Sequence, residues 1–228
     1  MECTLRSHVW VVIAAYNEAA VIHHVISDVA CRGYSVIVVD DGSSDRTAVA
    51  AHAAHRVIRH PINLGQGAAL QTGIDYALER GAEVIVTFDA DGQHKAADID
   101  RLLHALEKTQ ADFALGSRFL GSSIGLPPSR RWLLKAATLF TQLSTGLRLS
   151  DTHNGVRAMT RRGAGAIKLR QNRMAHASEI LSQIAASGLN YVEVPVSIEY
   201  NVYSLAKGQG LTDALMILLD LFAHRLYR

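Results

Sequence analysis

The chain has 228 residues, 49% of them hydrophobic, and a formal net charge of +2 at pH 7. That length fits one large unit better than two, and a chain of this size buries roughly 70% of its unfolded surface, so folding needs neither disulfides nor a structural metal. The near-neutral balance excludes a polyanion-binding tail, leaving nucleic acid without an electrostatic footprint.

The two cysteines, Cys3 and Cys31, form no CxxC pair and fit a reducing cytoplasm. The first element in chain order is the apolar run Val9 to Ala15, which reads as a strand buried on both faces. Asn17-Glu18 interrupts it, so no secretory leader is expected. A helix follows over 18–31, with Val21, Ile22, Val25, Ile26 and Val29 on one face. Ser35 to Val39 is a second buried strand ending at Asp40-Asp41, and an alanine-rich helix is expected from Asp45 onward. Val57-Ile58 is a short third strand, Ala68 to Arg80 a helix stopped by Gly81, and Glu83 to Phe88 a fourth strand ending at Asp89.

The second half is less regular. It predicts a helix over Ile99–Thr109, a strand over Asp112–Gly116, and a loop containing Gly121, Gly125, Pro127 and Pro128. A long helix over Arg130–Leu147 and another over Met174–Ser187 follow. Val192, Val194, Val196 and Ile198 alternate as in a half-buried strand, and Leu211 to Tyr227 closes the chain as a helix. No stretch reaches the ~18 apolar residues of a membrane span; Asp213 and Asp220 break the longest candidate. Strands alternating with helices specify an α/β domain with a mainly parallel sheet. Ligands of such sheets sit at the carboxyl ends of strands, where Asn17, Glu18, Asp40, Asp41, Asp89 and Asp91 all fall.

The strongest chemical signal is Phe88-Asp89-Ala90-Asp91-Gly92-Gln93-His94. Two carboxylates at i and i+2 on a turn can face one hard cation, Mg2+ or Mn2+, which shares its coordination with substrate phosphates. Gln93 could add a neutral oxygen. In Asp40-Asp41-Gly42-Ser43-Ser44-Asp45 one carboxylate is placed to accept from a nucleobase or ribose, whereas Asp45 reads better as a helix cap. Asn63-Leu64-Gly65-Gln66-Gly67 is not a full dinucleotide fingerprint and reads as a tight strand-to-helix turn.

Together these pieces resemble family 2 glycosyltransferases of the GT-A fold, in the branch of dolichol-phosphate mannose synthase and bacterial polyprenyl-phosphate sugar transferases. The carrying motifs are Ala14-Ala15-Tyr16-Asn17-Glu18, Val39-Asp40-Asp41-Gly42-Ser43, Asn63-Leu64-Gly65, Asp89-Ala90-Asp91-Gly92-Gln93-His94 and Gly116-Ser117-Arg118. Asp151, Asn154-Gly155-Val156-Arg157, Glu193-Val194-Pro195-Val196 and Tyr203-Ser204 with Lys207-Gly208-Gln209 follow. The match spans residues 9 to 210. It implies a Rossmann-like half over 1–118 for nucleotide-sugar and metal, an acceptor half over 119–210 and a C-terminal amphipathic helix over 211–228.

The resemblance also implies site residues. Ala14, Tyr16 and Glu18 would line the nucleotide, Val39 and Asp41 would contact its base, and Asp89-Ala90-Asp91 would hold the diphosphate. Asp89, Asp91 and Gln93 would ligate the metal. Arg118, Arg131 and Lys207, beside donor or acceptor phosphates, would join Asp91 as the catalytic set. The implied reaction is inverting transfer of a sugar from a nucleotide diphosphate to a polyprenyl phosphate. A sugar or protein hydroxyl is the alternative acceptor, for which Asp151 and Glu179 are the acids to test as general base. A nucleotide-binding regulatory subunit without catalysis is the alternative of another class. His94 abuts the metal loop; His153 and His176 are candidates for the acceptor side.

Arg130-Arg131-Trp132-Leu133-Leu134-Lys135 and the apolar surface of the last helix point to the cytoplasmic face of a membrane, reached peripherally or through a separate anchor protein. Packing on its own domain or on a second copy of the chain is the alternative for that helix.

Overall fold

The computed structural model describes residues 8–172 and 175–200, the side chain of Arg130 excepted. Lys207, the Tyr203–Gln209 motif, the helix expected over 211–228 and Met174 lie outside the described residues.

The apolar runs form strands where expected. They are β1 (Val9–Ala15), β2 (Ser35–Asp40), β3 (Arg56–Arg59) and β4 (Val84–Asp89). Between them run α1 (Ile22–Ala30), the short α2 (Thr47–Ala50) and α3 (Gln66–Glu79). Then come α4 (Ala97–Thr109), β5 (Phe113–Ile124), α5 (Pro128–Thr145), β6 (Arg157–Thr160), α6 (Arg161–Ala166), α7 (His176–Ser187) and β7 (Tyr191–Glu199).

Three features differ from the sequence reading. Strand β5 continues through the expected loop to Ile124, because Ser122, Ser123 and Ile124 pair with Ser197, Ile198 and Glu199 after an irregularity in register. Gly121 belongs to that strand; a Cβ there would overlap the Val196 carbonyl. Helix α5 starts at Pro128, a first-turn position where a missing N–H costs nothing, and stops at Gly146, whose φ is +74°. Strand β6 and helix α6 were not foreseen at all.

The seven strands form one sheet in the order β3-β2-β1-β4-β6-β5-β7. All neighbours are parallel except β6, which runs antiparallel to both β4 and β5. Both faces are covered. Val11 and Ile13 of β1 pack with Ile22, Ile26, Ile99 and Leu102 on one side. Val12 packs with Ile37, Ile74, Met159, Ile180 and Leu181 on the other. Each such fully buried side chain contributes about 1.5–3 kcal/mol, which is why uninterrupted apolar runs occupy the centre.

The pairing register builds the site. Ala15 of β1 lies opposite Asp40 of β2, and Ala14 lies opposite Asp89 of β4. The acids that end β2 and β4 therefore flank the end of β1. Because β6 is antiparallel, its first residue comes to this same edge, with Arg157 opposite Thr87. Among the described residues no helix is long and apolar enough to cross a membrane.

Candidate active site

The turn after β1 is fixed by the loop after β2. Asn17 adopts φ +55°. Its N–H donates to Ser43 Oγ at 2.9 Å, and its Oδ1 accepts from the Ser44 N–H at 2.9 Å. The Glu18 N–H donates to Thr47 Oγ1 at 2.8 Å. These bonds seat Glu18, 8% exposed, at the floor of the edge and leave Tyr16, 45% exposed, on its rim. Ala14 is half-buried beside them, whereas the Val39 side chain lies wholly in the core, so only its backbone faces the edge.

Asp41 has a structural task in this state. Its Oδ1 accepts from the Leu64 N–H at 3.0 Å and lies 2.7 Å from His60 Nδ1; its Oδ2 accepts from the Gly65 N–H at 2.6 Å. It thereby holds the turn into α3, where Gly65 has φ +103°, a conformation only glycine adopts without strain. Asp40 accepts from the Ser43 N–H at 3.1 Å and pairs with Arg59 Nε at 3.2 Å. Asp45 accepts from the Thr47 N–H at 2.9 Å from one residue before the N-cap position. That position is Arg46 and carries no side-chain cap bond, so Asp45 is a turn residue and not the cap the sequence suggests.

The Asp89–His94 loop is built on β4. Asp89 Oδ2 lies 3.0 Å from His94 Nε2. The His94 ring stands edge-on to Phe88, and its Nδ1 is buried with no hydrogen-bond partner, so Nε2 is the nitrogen that donates to Asp89. Burial pushes the Asp89 carboxyl up, but the His94 hydrogen bond and the charges of His94, Arg157 and His176 outweigh it and hold the group below its ordinary value. Asp91 behaves oppositely. Burial, and then the Asp89 charge, push its carboxyl up to about 6, although the Gln93 N–H donates to its Oδ1 at 3.0 Å.

This donor set fits a hard divalent cation. Asp89 and Asp91 offer carboxylate oxygens, and the mutual repulsion that raises Asp91 is what a dication relieves. Among the described residues no group of three or more His, Cys, Asp or Glu side chains forms a complete cage. Mg2+ and Mn2+ normally complete such partial sets with water and substrate phosphate. Gln93 adjoins the pair, with its carbonyl accepting from the Glu199 N–H at 3.0 Å.

A pH dependence follows. The Asp91 value in the folded chain, about 6, lies above its ordinary 3.8. Between these values the folded chain binds more protons than the unfolded one, so this contribution to stability is present at low pH and lost as pH rises through about 6. A cation needing the carboxylate competes with that proton. Mn2+ should raise the melting temperature more at about pH 7.5 than at about pH 5. Equal shifts at both would take Asp91 out of the metal site.

Gly155 supports the loop from below. Its carbonyl accepts from Thr87 Oγ1 at 2.7 Å, and a Cβ at this position would overlap both carboxylate oxygens of Asp89. Gly155→Ala should displace Asp89 and weaken Mn2+ binding at least tenfold, at a stability cost of roughly 1–3 kcal/mol. Calorimetric titration of Mn2+ checks this; wild-type affinity in the variant would contradict the packing.

The cationic expectations separate. Arg118 is 6% exposed, and its donors are committed within the protein. Nε donates to Asp151 Oδ2 at 2.6 Å, Nη1 to Tyr200 Oη at 2.7 Å and Nη2 to the His153 carbonyl. Asp151 Oδ2 also accepts from the Arg118 N–H at 3.0 Å, and Oδ1 accepts from the His153 N–H at 3.2 Å. The guanidinium thus organises the 151–153 loop rather than presenting itself to a ligand. Arg131 is exposed in the first turn of α5, next to Trp132 at 75% exposure. Glu179 accepts from the backbone N–H groups of Arg170 and Gln171 and holds the segment before α7. Sequence reasoning named Arg157 only as part of a motif. The structure places it, 3% exposed, beside Asp89 and Asp151.

A mainly parallel sheet whose strand ends gather Glu18, Asp89 and Asp91 over a turn is the architecture of a GT-A glycosyltransferase. The chain belongs to glycosyl transferase family 2, whose family model matches residues 10–166. It is 30% identical to the UDP-N-acetylglucosamine–dolichyl-phosphate N-acetylglucosaminyltransferase of Methanococcus voltae, over 89% of this chain and 90% of that protein. It is 31% identical to the polyprenol monophosphomannose synthase of Mycolicibacterium smegmatis, over 88% of this chain and 80% of that protein. Among solved structures, glucosyl-3-phosphoglycerate synthase of Mycobacterium tuberculosis, crystallised with Mn2+, UDP and phosphoglyceric acid, superposes with a TM-score of 0.74 at 20% identity, covering 99% of this chain and 80% of that one. That likeness shows the fold.

Proposed function

We propose that this chain transfers a sugar, in a divalent-metal-dependent and inverting reaction, from a nucleotide-diphosphate donor to a polyprenyl phosphate at the cytoplasmic face of a membrane. The observation that carries the reading is the Asp89/Asp91 pair at the end of β4, in a chain whose full-length relatives act on dolichyl and polyprenol phosphates. Asp89, Asp91 and Gln93 would hold Mg2+ or Mn2+, which would supply positive charge beside the departing diphosphate. Tyr16 and Glu18 line the nucleotide, with the Asp41-held turn at its base side. The acceptor is an ionised phosphate and needs no general base.

The state of the candidate bases supports this choice of acceptor. A hydroxyl would need a free carboxylate, yet Asp151 is paired with Arg118 and Glu179 with two backbone amides. The exposed strip Trp132, Leu139 and Leu143 on α5, spaced at seven and four residues beside Arg131 and Lys135, suits an interfacial position. On this proposal the chain divides into a nucleotide-sugar and metal half over 1–118, an acceptor half over 119–210 and a C-terminal amphipathic helix over 211–228.

The test is direct. Radiolabelled nucleotide sugars are incubated with undecaprenyl phosphate vesicles and Mn2+, and lipid-linked sugar is measured. Absence of product with every common donor sinks the reading. Transfer to a soluble sugar instead would favour a hydroxyl acceptor.

A further inference from the structure

Arg157 stands apart from the other buried cations. It is 3% exposed, and its guanidinium donates no hydrogen bond to any described residue. Burial lowers its pKa to about 10 even though Asp89 and Asp151 pull the other way, so it stays charged at neutral pH. A guanidinium carries five donors in a fixed fork. Among the described residues the fully enclosed side-chain atoms without a partner belong to Asp40, His94 and Asn154, so the Arg157 fork keeps a narrow opening through which a ligand can complete it. Arg118, on the neighbouring strand β5 and three residues beyond the Leu115 that pairs with Arg157, shows the contrast: each of its side-chain nitrogens has a partner.

The surroundings of Arg157 select the sign of that ligand. Side chains alternate along β6, so Arg157 shares the face of Met159, the face that α3 and α7 cover. The N-termini of those two helices meet there. The Gly67 N–H donates to the Asn172 carbonyl at 2.8 Å, and a Cβ on Gly67 would come 2.8 Å from the Cβ of His176. Neither helix has a side-chain N-cap. Gln66, the first residue of α3, approaches Asp89 Oδ1 at 3.5 Å, which ties this corner to the metal loop. His176, 4% exposed, opens α7 and acts on Asp89 from the same side. Two positive helix ends, a histidine and an unpartnered guanidinium thus meet behind one carboxylate, a setting for an oxyanion. His153 stands close enough for Arg157 and His176 to help depress it to about 4, after burial as the main cause and against the pull of Asp151. It is therefore uncharged at neutral pH and leaves the cationic role to Arg157.

We propose that Arg157 grips a phosphate group of the substrate on the α3/α7 side of Asp89, an oxyanion site separate from the metal carboxylates. This deepens the reading given above and rests on it for the source of the phosphate, which is either the acceptor monophosphate or the donor diphosphate. Arg157 is then a binding residue of the reaction, and Arg118 the positioning residue of the neighbouring loop.

Arg157→Met and Arg157→Lys, with the wild type, are titrated with three probes: farnesyl phosphate, UDP or GDP with Mn2+, and inorganic phosphate. Methionine fills a similar volume without the charge. Loss of one charged, buried contact predicts affinity lower by about 10–100-fold in Arg157→Met, with Arg157→Lys in between. Selective loss with farnesyl phosphate assigns the acceptor; selective loss with the nucleotide assigns the donor. If Arg157 were only a counter-charge for Asp89, Arg157→Met would bind Mn2+ more tightly and all three anions normally, and that result overturns the proposal. So does a wild type that binds none of the three. Should Arg157→Met fail to fold, the Arg157→Lys titration decides alone, unchanged anion affinities counting against the site. A wild type whose phosphate binding depends on Arg157, but which transfers no sugar to undecaprenyl phosphate, would sink the proposed acceptor and keep the site.

Discussion

Asp91→Asn will remove sugar transfer and at the same time make the metal-free protein more stable. The two effects share one cause. In the folded chain burial and the Asp89 charge push Asp91 up to about 6, so at pH 7 the ionised carboxyl opposes folding. An amide removes that opposition, a gain on the order of 1 kcal/mol. The same substitution takes away one of the two carboxylates proposed above to hold a cation at the diphosphate. Loss of that electrostatic support lowers the rate by about 10^3-fold or more. Both are measured on one sample, by melting with chelator at pH 7 and by initial rates with Mn2+. A variant that is inactive but less stable would mean that Asp91 serves the fold, and the metal assignment would fall. This opposition between stability and activity is the expected signature of a carboxylate pair kept for chemistry.

The second large effect concerns Arg118. Arg118→Met strands Asp151, 3% exposed, with its main counter-charge gone, and leaves the Tyr200 hydroxyl without its donor. Breaking a buried pair from one side costs about 3–5 kcal/mol. For a chain of this size the melting temperature should drop by roughly 6–20 °C. The double variant Arg118→Met/Asp151→Asn should recover part of this, because no buried charge is then left alone. If Arg118 acted as a phosphate ligand, as the motif Gly116-Ser117-Arg118 implies, Arg118→Lys would instead raise the acceptor KM with little change in melting. The paired geometry predicts the melting effect to dominate.

The sequence disclosed the first half of the fold well. Val9–Ala15 and 36–39 are unbroken apolar runs and 84–88 is broken only by Thr87, and such runs suit the centre of a covered parallel sheet. The acids at their ends were equally plain, because a carboxylate following a buried strand has few reasons to be there other than a ligand or a turn. The second half hid its strands. Residues 119–124 of β5, Phe-Leu-Gly-Ser-Ser-Ile, are mostly exposed and show no alternation, and only pairing with β7 makes them a strand. Strand β6 is four residues long and opens with an arginine, which no hydrophobic pattern marks. The division of labour between Arg118 and Arg157 was hidden for another reason. The partners of Arg118 lie 33 and 82 residues away, so its saturation is a property of the folded chain. Asp41 is similar: the amides of Leu64 and Gly65 that it holds are 23 and 24 residues distant.

The junction between the Asp89–His94 loop and β7 has a further consequence. The Gln93 carbonyl accepts from the Glu199 amide, and His94 forms a bridge with Ile198, so the loop is spliced onto the sheet like a short additional strand. Opening the loop must break that splice. The Glu199 amide proton is therefore a built-in reporter of loop motion. Its hydrogen-exchange rate reads out, one residue at a time and without any assay of chemistry, how often the Asp91–Gln93 turn lets go of the sheet.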